Sequence, residues 1–163
     1  MSVLVQPVDI RPVADADVER LLVGAYVGGG FTSPERAARV FAAAAVRARG
    51  ALLCAWLPGV DAPAGMVVVV PGGAPAARLA GDGEAEMHLL ATSPEHRRAG
   101  VGRALVAAAM AHARAGGAAR MVLWTQPAMH AAQALYGAAG FVRAPARDFT
   151  EEGRRYLVLT AGL

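Results

Sequence analysis

The fold of this chain can be worked out from one segment, Pro94-Glu95-His96-Arg97-Arg98-Ala99-Gly100-Val101-Gly102-Arg103. It follows a predicted strand and precedes a predicted helix. Two glycines two positions apart allow a tight turn, and the first N–H groups of a helix have no partner within it. Those donors and the partial positive charge of a helix N-terminus form a site for a diphosphate, with three arginines around it. The alternative is an ordinary loop ahead of an alanine-rich helix.

Two other phosphate-binding motifs do not fit this segment. A Walker loop needs Lys and then Ser or Thr after its last glycine, but Gly102 is followed by Arg103 and Ala104. The dinucleotide fingerprint needs a third glycine where Leu105 stands, and an acidic residue about 20 positions later. Residues 120–125 contain no acidic residue. The segment therefore predicts an anion site of another kind.

The rest of the sequence predicts a mixed α/β fold. The predicted order is strand, helix, helix, three strands, helix, strand, helix, two strands, which gives a mixed sheet with helices on both faces. No linker or repeat divides the sequence, so we expect a single domain over residues 1–163. Predicted strands cover 3–11, 51–57, 65–70, 84–93, 120–125, 141–144 and 155–160, and predicted helices cover 15–27, 33–49, 100–115 and 129–139.

Composition excludes several classes of function. The net charge of +3 is small and dispersed, which argues against nucleic-acid binding but suits a small anionic ligand. All 16 basic residues are arginines, and this lysine-free, alanine-rich composition is typical of a GC-rich bacterial genome. The single cysteine, Cys54, lies in an apolar run and is predicted to be a buried small side chain. His96, His112 and His130 lack metal-ligand spacing, so no metal is expected.

The sequence also predicts a cytoplasmic protein. The first ten residues lack the basic and apolar segments of a secretory signal. The longest apolar run, near residues 104–111, is far shorter than the roughly 20 residues needed to span a bilayer. No membrane partner is therefore expected, and the oligomeric state stays open between a monomer and a homodimer.

Two blocks of the sequence resemble the GNAT (N-acetyltransferase) superfamily. Residues 97–102, Arg-Arg-Ala-Gly-Val-Gly, resemble the family's coenzyme-A motif Gln/Arg-x-x-Gly-x-Gly/Ala. Residues 134–141, Ala-Leu-Tyr-Gly-Ala-Ala-Gly-Phe, resemble Ala-x-x-Leu-Tyr-x-x-x-Gly-Phe, shifted at the alanine. The blocks stand in the family's order with a predicted strand between them. The resemblance covers residues 84–142, while the first half of the chain shares only the order of elements.

The resemblance implies the GNAT acyl-CoA N-acyltransferase fold and acetyl-CoA as co-substrate. An amine would attack the thioester directly, without a covalent enzyme intermediate. The end of the fourth strand would bulge, part from the fifth strand and bind pantetheine through its backbone, while the glycine segment binds the diphosphate. The cofactor-binding residues implied in this way are Leu90, Ala91, Thr92, Arg97, Arg98, Ala99, Gly100, Val101, Gly102 and Arg103.

The resemblance also implies two catalytic residues. Tyr136 would donate a proton to the leaving thiolate or position it, and the alternative is a packing role with its hydroxyl bonded to backbone. Glu86 would be the base, acting through water, and His88 could share or replace that role. The alternative for Glu86 is a solvated edge position paired with an arginine. Strand alternation places Glu86, His88 and Leu90 on one face, opposite Met87 and Leu89.

The acceptor pocket is implied to lie among residues 26–33, 86–88, 124–127 and 148–154. Phe31 in the first segment is either a lid or a core residue. Glu151 and Glu152 could meet a cationic substrate or simply be solvated. Met129 replaces an asparagine that is frequent in the family, and Gln126 or Gln133 is the candidate substitute.

We therefore expect an N-acetyltransferase acting on an amine of a small molecule, amino acid or peptide. The alternatives are a non-catalytic acyl-CoA sensor and transfer of a longer acyl chain.

Overall fold

The computed structural model describes residues 2–163, which form one mixed sheet with helices on both sides. No helix within these residues is both long and apolar enough to cross a lipid bilayer. The elements are β1 Leu4–Pro7, α1 Asp15–Leu22, α2 Pro34–Val40, α3 Ala43–Arg47, β2 Ala51–Trp56, β3 Gly65–Pro71, β4 Glu84–Thr92, α4 Val101–Ala115, β5 Arg120–Thr125, α5 His130–Ala138, β6 Val142–Arg143, β7 Phe149–Glu151 and β8 Arg154–Gly162.

The strands follow the spatial order β1-β2-β3-β4-β5-β8-β6, and β7 pairs with β8 outside that path. The pairing of β4 with β5 is parallel, and the other pairings in the described chain are antiparallel. A parallel pair needs a crossover, and α4 supplies it between the two strands. The predicted mixed α/β class is confirmed.

Two hydrophobic cores form, one on each face of the sheet. In β3, Val67 and Val69 point toward α4, whereas Met66, Val68 and Val70 point toward α1–α3. This alternation is the period-two pattern of a strand buried on both faces. Helix α4 covers its side with a stripe of five buried side chains at helical spacing, Val101, Leu105, Val106, Ala109 and Ala113.

The structure corrects the predicted elements at three places. The helix predicted over residues 33–49 is broken after Val40, where Phe41 turns into the core and Ala42 is extended. The N–H of Ala43 then donates to the Glu19 carboxylate at 3.0 Å, so a tertiary contact caps α3. Strand β1 is shorter than predicted, and the short strand β7 was not predicted because three residues carry too little periodicity.

Strand β4 contains a bulge that shapes the rest of the molecule. Val68 faces His88 and Met66 faces Ala91, so Leu89 and Leu90 together oppose one residue of β3. Leu89 has a φ of 53°, in the left-handed region. On its other edge β4 pairs with β5 only up to Glu86, although both strands continue. The two strands therefore part beyond this point, as the resemblance implied.

The N-terminal turn of α4 lies directly against Gly65 of β3. A Cβ atom at Gly65 would lie 2.7 Å from Cγ1 of Val101 and 2.8 Å from the carbonyl oxygen of Ala91. Real side chains do not approach this closely, so only glycine permits the helix to start here. The position of the helix N-terminus thus depends on one missing methyl group.

We expect Gly65→Ala to lower the free energy of unfolding by about 1–3 kcal/mol, because overpacking forces the helix and strand apart. Urea denaturation monitored by circular dichroism measures the change. Gly137→Ala is the matched control: it stands inside α5, and a Cβ there would meet no atom of residues 2–163 within 4 Å beyond its chain neighbours and the backbone of the helix itself. That control should gain about 0.5–1 kcal/mol from helix propensity. Equal stability of Gly65→Ala and the unsubstituted chain would contradict the close packing.

Candidate functional site

The segment that precedes α4 presents backbone donors toward solvent. Gly100 is the N-cap of the helix with a φ of 79°, and Arg98 has a φ of 64°. Left-handed residues alternating with ordinary ones turn successive N–H groups toward one concavity, which suits an anion. Among residues 2–163 no side chain caps this helix. Its first N–H groups are thus free for a ligand.

The other glycine of the segment has a different role. A Cβ atom at Gly102 would lie 3.1 Å from Cδ2 of Leu135 on α5 and 3.7 Å from Oγ1 of Thr92 on β4. Gly102 therefore lets α4, α5 and the end of β4 meet closely. Three exposed arginines surround this junction, Arg97, Arg98 and Arg103. None of them pairs with a carboxylate within residues 2–163.

A cleft of about 270 Å³ lies where β4 and β5 part. Residues of both strands line it, together with the segment after α1, the α2 helix and the β7–β8 hairpin. All three tyrosines of the chain, one of its two tryptophans and one of its four phenylalanines line this cleft. In an aromatic-poor chain this concentration indicates a binding site. These residues are Tyr26, Phe41, Trp124, Tyr136 and Tyr156.

Glu86 lies at the back of this region and is completely buried. Its Oε1 accepts hydrogen bonds from three consecutive backbone N–H groups, of Arg78 at 2.7 Å, of Ala80 at 2.6 Å and of Leu79. Burial by itself raises the pKa of Glu86, but the bonds from His88 and from these three N–H groups outweigh it and hold the pKa below its usual value. The carboxylate is ionised and not solvated.

His88 stands between Glu86 and the cleft. Its Nε2 lies 2.5 Å from Oε2 of Glu86, and its Nδ1 lies 3.5 Å from Nη1 of Arg49. The ring packs edge-on against Trp124, with centroids 4.7 Å apart. Because the carboxylate can only accept, Nε2 carries a proton, and Nδ1 can keep a lone pair. His88 lines the cleft, whereas Glu86 does not.

The bulge overturns one prediction about this strand. Glu86 and His88 share the face toward α1–α3, as predicted, but Leu90 packs with the α4 core and Leu89 with the opposite one. The extra residue reverses the alternation beyond His88. The carbonyl oxygen of Leu90 accepts a hydrogen bond from the Tyr26 hydroxyl at 3.0 Å.

Tyr136 extends from α5 into the cleft and is 7% exposed. Burial raises the pKa of its hydroxyl, and the nearby Tyr26 adds to this effect. Its ring packs against Phe141, with centroids 5.9 Å apart. Within residues 2–163 the hydroxyl has no hydrogen-bond partner, so the backbone bond considered as an alternative is not formed.

The glutamines considered as substitutes for the family's asparagine are engaged elsewhere. The side-chain nitrogen of Gln133 donates to the carbonyls of Gln126 and Pro127, and that of Gln126 donates to Phe31. Met129 lines the cleft, and its sulfur accepts from the Thr125 hydroxyl at 3.4 Å. The role proposed for Gln126 or Gln133 stays a prediction.

The implied acceptor segments do meet around the cleft. The carbonyl of Phe31 is held by Gln126 at 3.0 Å and by Arg154 at 2.7 Å, so this turn is tied to β5 and β8. Glu151 pairs with Arg78 at 2.8 Å. The acidic turn is therefore already occupied by internal cations.

Several site features carry no signal in the sequence. The three N–H groups around Glu86 belong to the glycine- and alanine-rich loop before β4, and backbone donors do not depend on residue type. Arg49 follows α3, and Arg154 begins β8; nothing in their sequence neighbourhood brings them to one cleft.

Cys54 plays no part in the site. It is fully buried, and burial raises the pKa of its thiol to about 12. The predicted packing role of Cys54 is confirmed. In the described part of the chain, no three His, Cys, Asp or Glu side chains come together as metal ligands would.

Comparison with known proteins gives a consistent result. The sequence model of the acetyltransferase (GNAT) family matches residues 16–141. A Bacillus subtilis acetyltransferase solved with CoA has 19% identity and a TM-score of 0.69, over 99% of both chains. An Elizabethkingia anophelis GNAT acetyltransferase solved with acetyl-CoA has 17% identity and a TM-score of 0.67, over 99% of this chain and 98% of that one.

A third structure is the ribosomal-protein-S18-alanine N-acetyltransferase of Escherichia coli. It has 19% identity and a TM-score of 0.65, over 99% of this chain and 94% of that chain. At this level of identity the similarities show the fold alone. No curated protein matches this chain.

We expect Glu86→Gln to lower the free energy of unfolding at pH 7 by about 1–3 kcal/mol, because the amide places a donor against His88 Nε2. A carboxylate with a depressed folded-state pKa stabilises the protein above its unfolded pKa of about 4.3 and loses that effect as pH falls through the folded pKa. The difference should therefore shrink below about pH 4. Denaturant titrations at pH 7 and at lower pH measure it.

The matched control for this substitution is Glu95→Gln, which alters an exposed carboxylate outside the ion pairs of the described residues. It should change stability by less than about 0.5 kcal/mol. Equal stability of Glu86→Gln and this control at pH 7 would contradict the role of the buried carboxylate in holding the loop before β4.

Proposed function

Because this chain belongs to the acetyltransferase (GNAT) family, we propose that it is an N-acetyltransferase that moves the acetyl group of acetyl-CoA to an amine. The observation that carries the proposal is the meeting of Tyr136 and His88 at one cleft, with Glu86 bonded to His88 from behind. The acceptor is an amine of a small molecule, amino acid or peptide. The reaction is direct attack of the neutral amine on the thioester carbonyl.

The cofactor is proposed to bind along β4 from the cleft to α4. Its diphosphate accepts hydrogen bonds from the N–H groups around Gly100 and Gly102, and the exposed arginines of the segment surround it. The pantetheine arm lies beside the unpaired edge of Leu90–Thr92 like an added strand. From Leu89 to Thr92 the strand spans about 10 Å, which joins the two sites. The two bacterial structures solved with CoA and with acetyl-CoA support the identity of this ligand.

His88 is proposed to accept the amine proton, with Glu86 as its fixed partner. A primary amine with a pKa of about 10.4 is protonated at pH 7, and the neutral form costs about 4–5 kcal/mol. The Glu86 carboxylate accepts from the Nε2–H of His88, which directs the Nδ1 lone pair away from Glu86, toward Arg49 and the cleft. Glu86, predicted as the base, thus acts through His88. A water molecule between Nδ1 and the amine fits the same role.

Tyr136 is proposed to donate a hydrogen bond to the departing sulfur. Its raised pKa keeps the phenol protonated but also makes full proton transfer to a thiolate unfavourable, since an ordinary thiol has a pKa of about 8.5. Hydrogen-bond donation needs no transfer and still stabilises the developing negative charge. Amide groups of the bulge at Leu89 and Leu90 are suited to polarise the thioester carbonyl.

We expect the protein to release free CoA thiol from acetyl-CoA in the presence of an amine, measured with a thiol reagent across amine classes. Tyr136→Phe should lower kcat by about 10²-fold or more, with an unchanged dissociation constant for acetyl-CoA, because only the departing charge loses its donor. Tight binding of acetyl-CoA without amine-dependent release would instead assign the chain a sensor role. Unchanged kcat in Tyr136→Phe would remove Tyr136 from the mechanism.

We expect Gly100→Asp to abolish binding of acetyl-CoA and Gly100→Asn to weaken it much less. Asp and Asn both tolerate the left-handed backbone of Gly100 and have nearly equal size. The difference between the two variants therefore reports the effect of the negative charge alone. The negative charge of Asp would lie beside the diphosphate. Calorimetric titration with acetyl-CoA measures both constants. Equal binding by the two variants would place the diphosphate elsewhere.

A further inference from the structure

The cleft carries an excess of positive charge. Four arginine side chains line it, against one glutamate. At neutral pH an amine is protonated, and this lining repels its positive charge unless the ligand also carries a negative charge. The four arginines are Arg36, Arg49, Arg78 and Arg154.

Two of these arginines are neutralised within the protein. Arg78 pairs with Glu151 at 2.8 Å, and Arg36 contacts Glu152 and lies 3.9 Å from Glu151. The β7–β8 turn therefore uses both of its carboxylates on internal partners.

The other two arginines have no carboxylate partner among residues 2–163. Arg154 donates to the carbonyl of Phe31 at 2.7 Å, and Arg49 donates to that of Val40 at 3.4 Å and faces His88 at 3.5 Å. A guanidinium has five N–H donors, so most donors of Arg49 and Arg154 stay free. Burial lowers the pKa of Arg49, yet arginine keeps its proton in proteins. A partly buried charge without a counter-ion is unfavourable, which indicates a missing anion.

A neutral donor lines the same cleft as the two arginines. The hydroxyl oxygen of Thr32 is buried and has no hydrogen-bond partner within the described chain, and Thr32 lines the same cleft. It directly follows Phe31, whose carbonyl holds Arg154. An oxygen anion near Arg154 would complete the hydrogen bonding of both groups.

The missing anion is not the diphosphate of the cofactor. No residue of the segment 97–103 lines the cleft, and the diphosphate is proposed to bind at that segment, beyond the far end of β4. The free arginines instead share the cleft with His88 and Tyr136, where the acceptor amine must arrive.

We propose that the acceptor is a small amine that also carries a carboxylate, and that Arg49 and Arg154 bind this carboxylate together with the Thr32 hydroxyl. This inference rests on the N-acetyltransferase function proposed above. The cleft of about 270 Å³ has the volume of about nine water molecules, which suits a single small molecule. Its aromatic side chains contact the remainder of that molecule. The N-terminal amine of a peptide is followed by an amide in place of the carboxylate, so peptides are disfavoured.

Binding is tested without turnover, by calorimetric titration of amines into the protein saturated with CoA that carries no acetyl group. The probes are matched pairs, leucine with leucinamide and phenylalanine with phenylalaninamide, together with β-alanine and 4-aminobutyrate. We expect each carboxylate of a pair to bind at least about tenfold more tightly than its amide. Equal or weaker binding of the carboxylate in every pair would overturn the proposal.

Three variants locate the effect. Arg49→Gln and Arg154→Gln should each weaken binding of the carboxylate member at least about tenfold and leave the amide unchanged. Arg155→Gln is the matched control, because Arg155 is the adjacent residue of β8, is exposed and does not line the cleft. Arg49→Lys keeps the charge and should retain part of the preference. A preference for carboxylate that survives in both glutamine variants would also overturn the proposal.

A separate assay distinguishes failure of this inference from failure of the proposed function. Thiol release from acetyl-CoA is measured with the same pairs. Carboxylate-selective binding without thiol release would refute acetyl transfer and support the anion site. Thiol release at equal kcat/KM for acid and amide, with unchanged ratios in Arg154→Gln, would support acetyl transfer and refute the anion site.

Discussion

The whole site depends on a break in strand pairing. One extra residue at the Leu89–Leu90 bulge cannot be accommodated opposite β3 without turning the chain, and Leu89 adopts a left-handed backbone to do so. On the other edge of β4, the pairing with β5 ends at Glu86, three residues before the bulge. A sheet that stayed paired would leave no opening for a thioester and no free backbone edge to hold it. The cleft is thus a consequence of backbone geometry, and side chains determine its chemistry.

Positively charged groups are found at two places in the proposed site, on either side of the bulge in β4. At one place, backbone N–H groups before α4 and exposed arginines suit the diphosphate of the cofactor. In the cleft, Arg49 and Arg154 have no carboxylate partner among residues 2–163, and Arg49 lies 3.5 Å from His88. The same cleft holds His88 and Tyr136 together with four other aromatic side chains. Under the two proposals above, the cofactor and an acceptor that carries a carboxylate would each be oriented by arginines and backbone donors on its own side of the reacting groups.

The sequence predicted the parts of this structure that depend on local rules. The motif glycines could be recognised because Gly100 has a left-handed φ and Gly102 lies close to neighbouring elements, and both situations favour glycine. Two ionisable side chains, Glu86 and His88, were placed on one face by simple alternation. The same rule failed at Leu90, because nothing in an apolar run marks where an extra residue enters. Arg49 and Arg154 meet only through the fold, since more than 100 positions separate them in the chain.

The loop before β4 shows how a segment with little to pack can still be held in one place. Its small side chains at Ala74, Ala76 and Ala77 pack against the core, and three successive N–H groups at positions 78–80 surround one ionised oxygen of Glu86. The anchor is main chain only, so the identity of the side chains at positions 79 and 80 is nearly free to drift over evolutionary time. Proline is the exception, because it has no hydrogen to offer. A designer could therefore introduce new side chains at positions 79 and 80 while the buried carboxylate keeps the loop backbone in place.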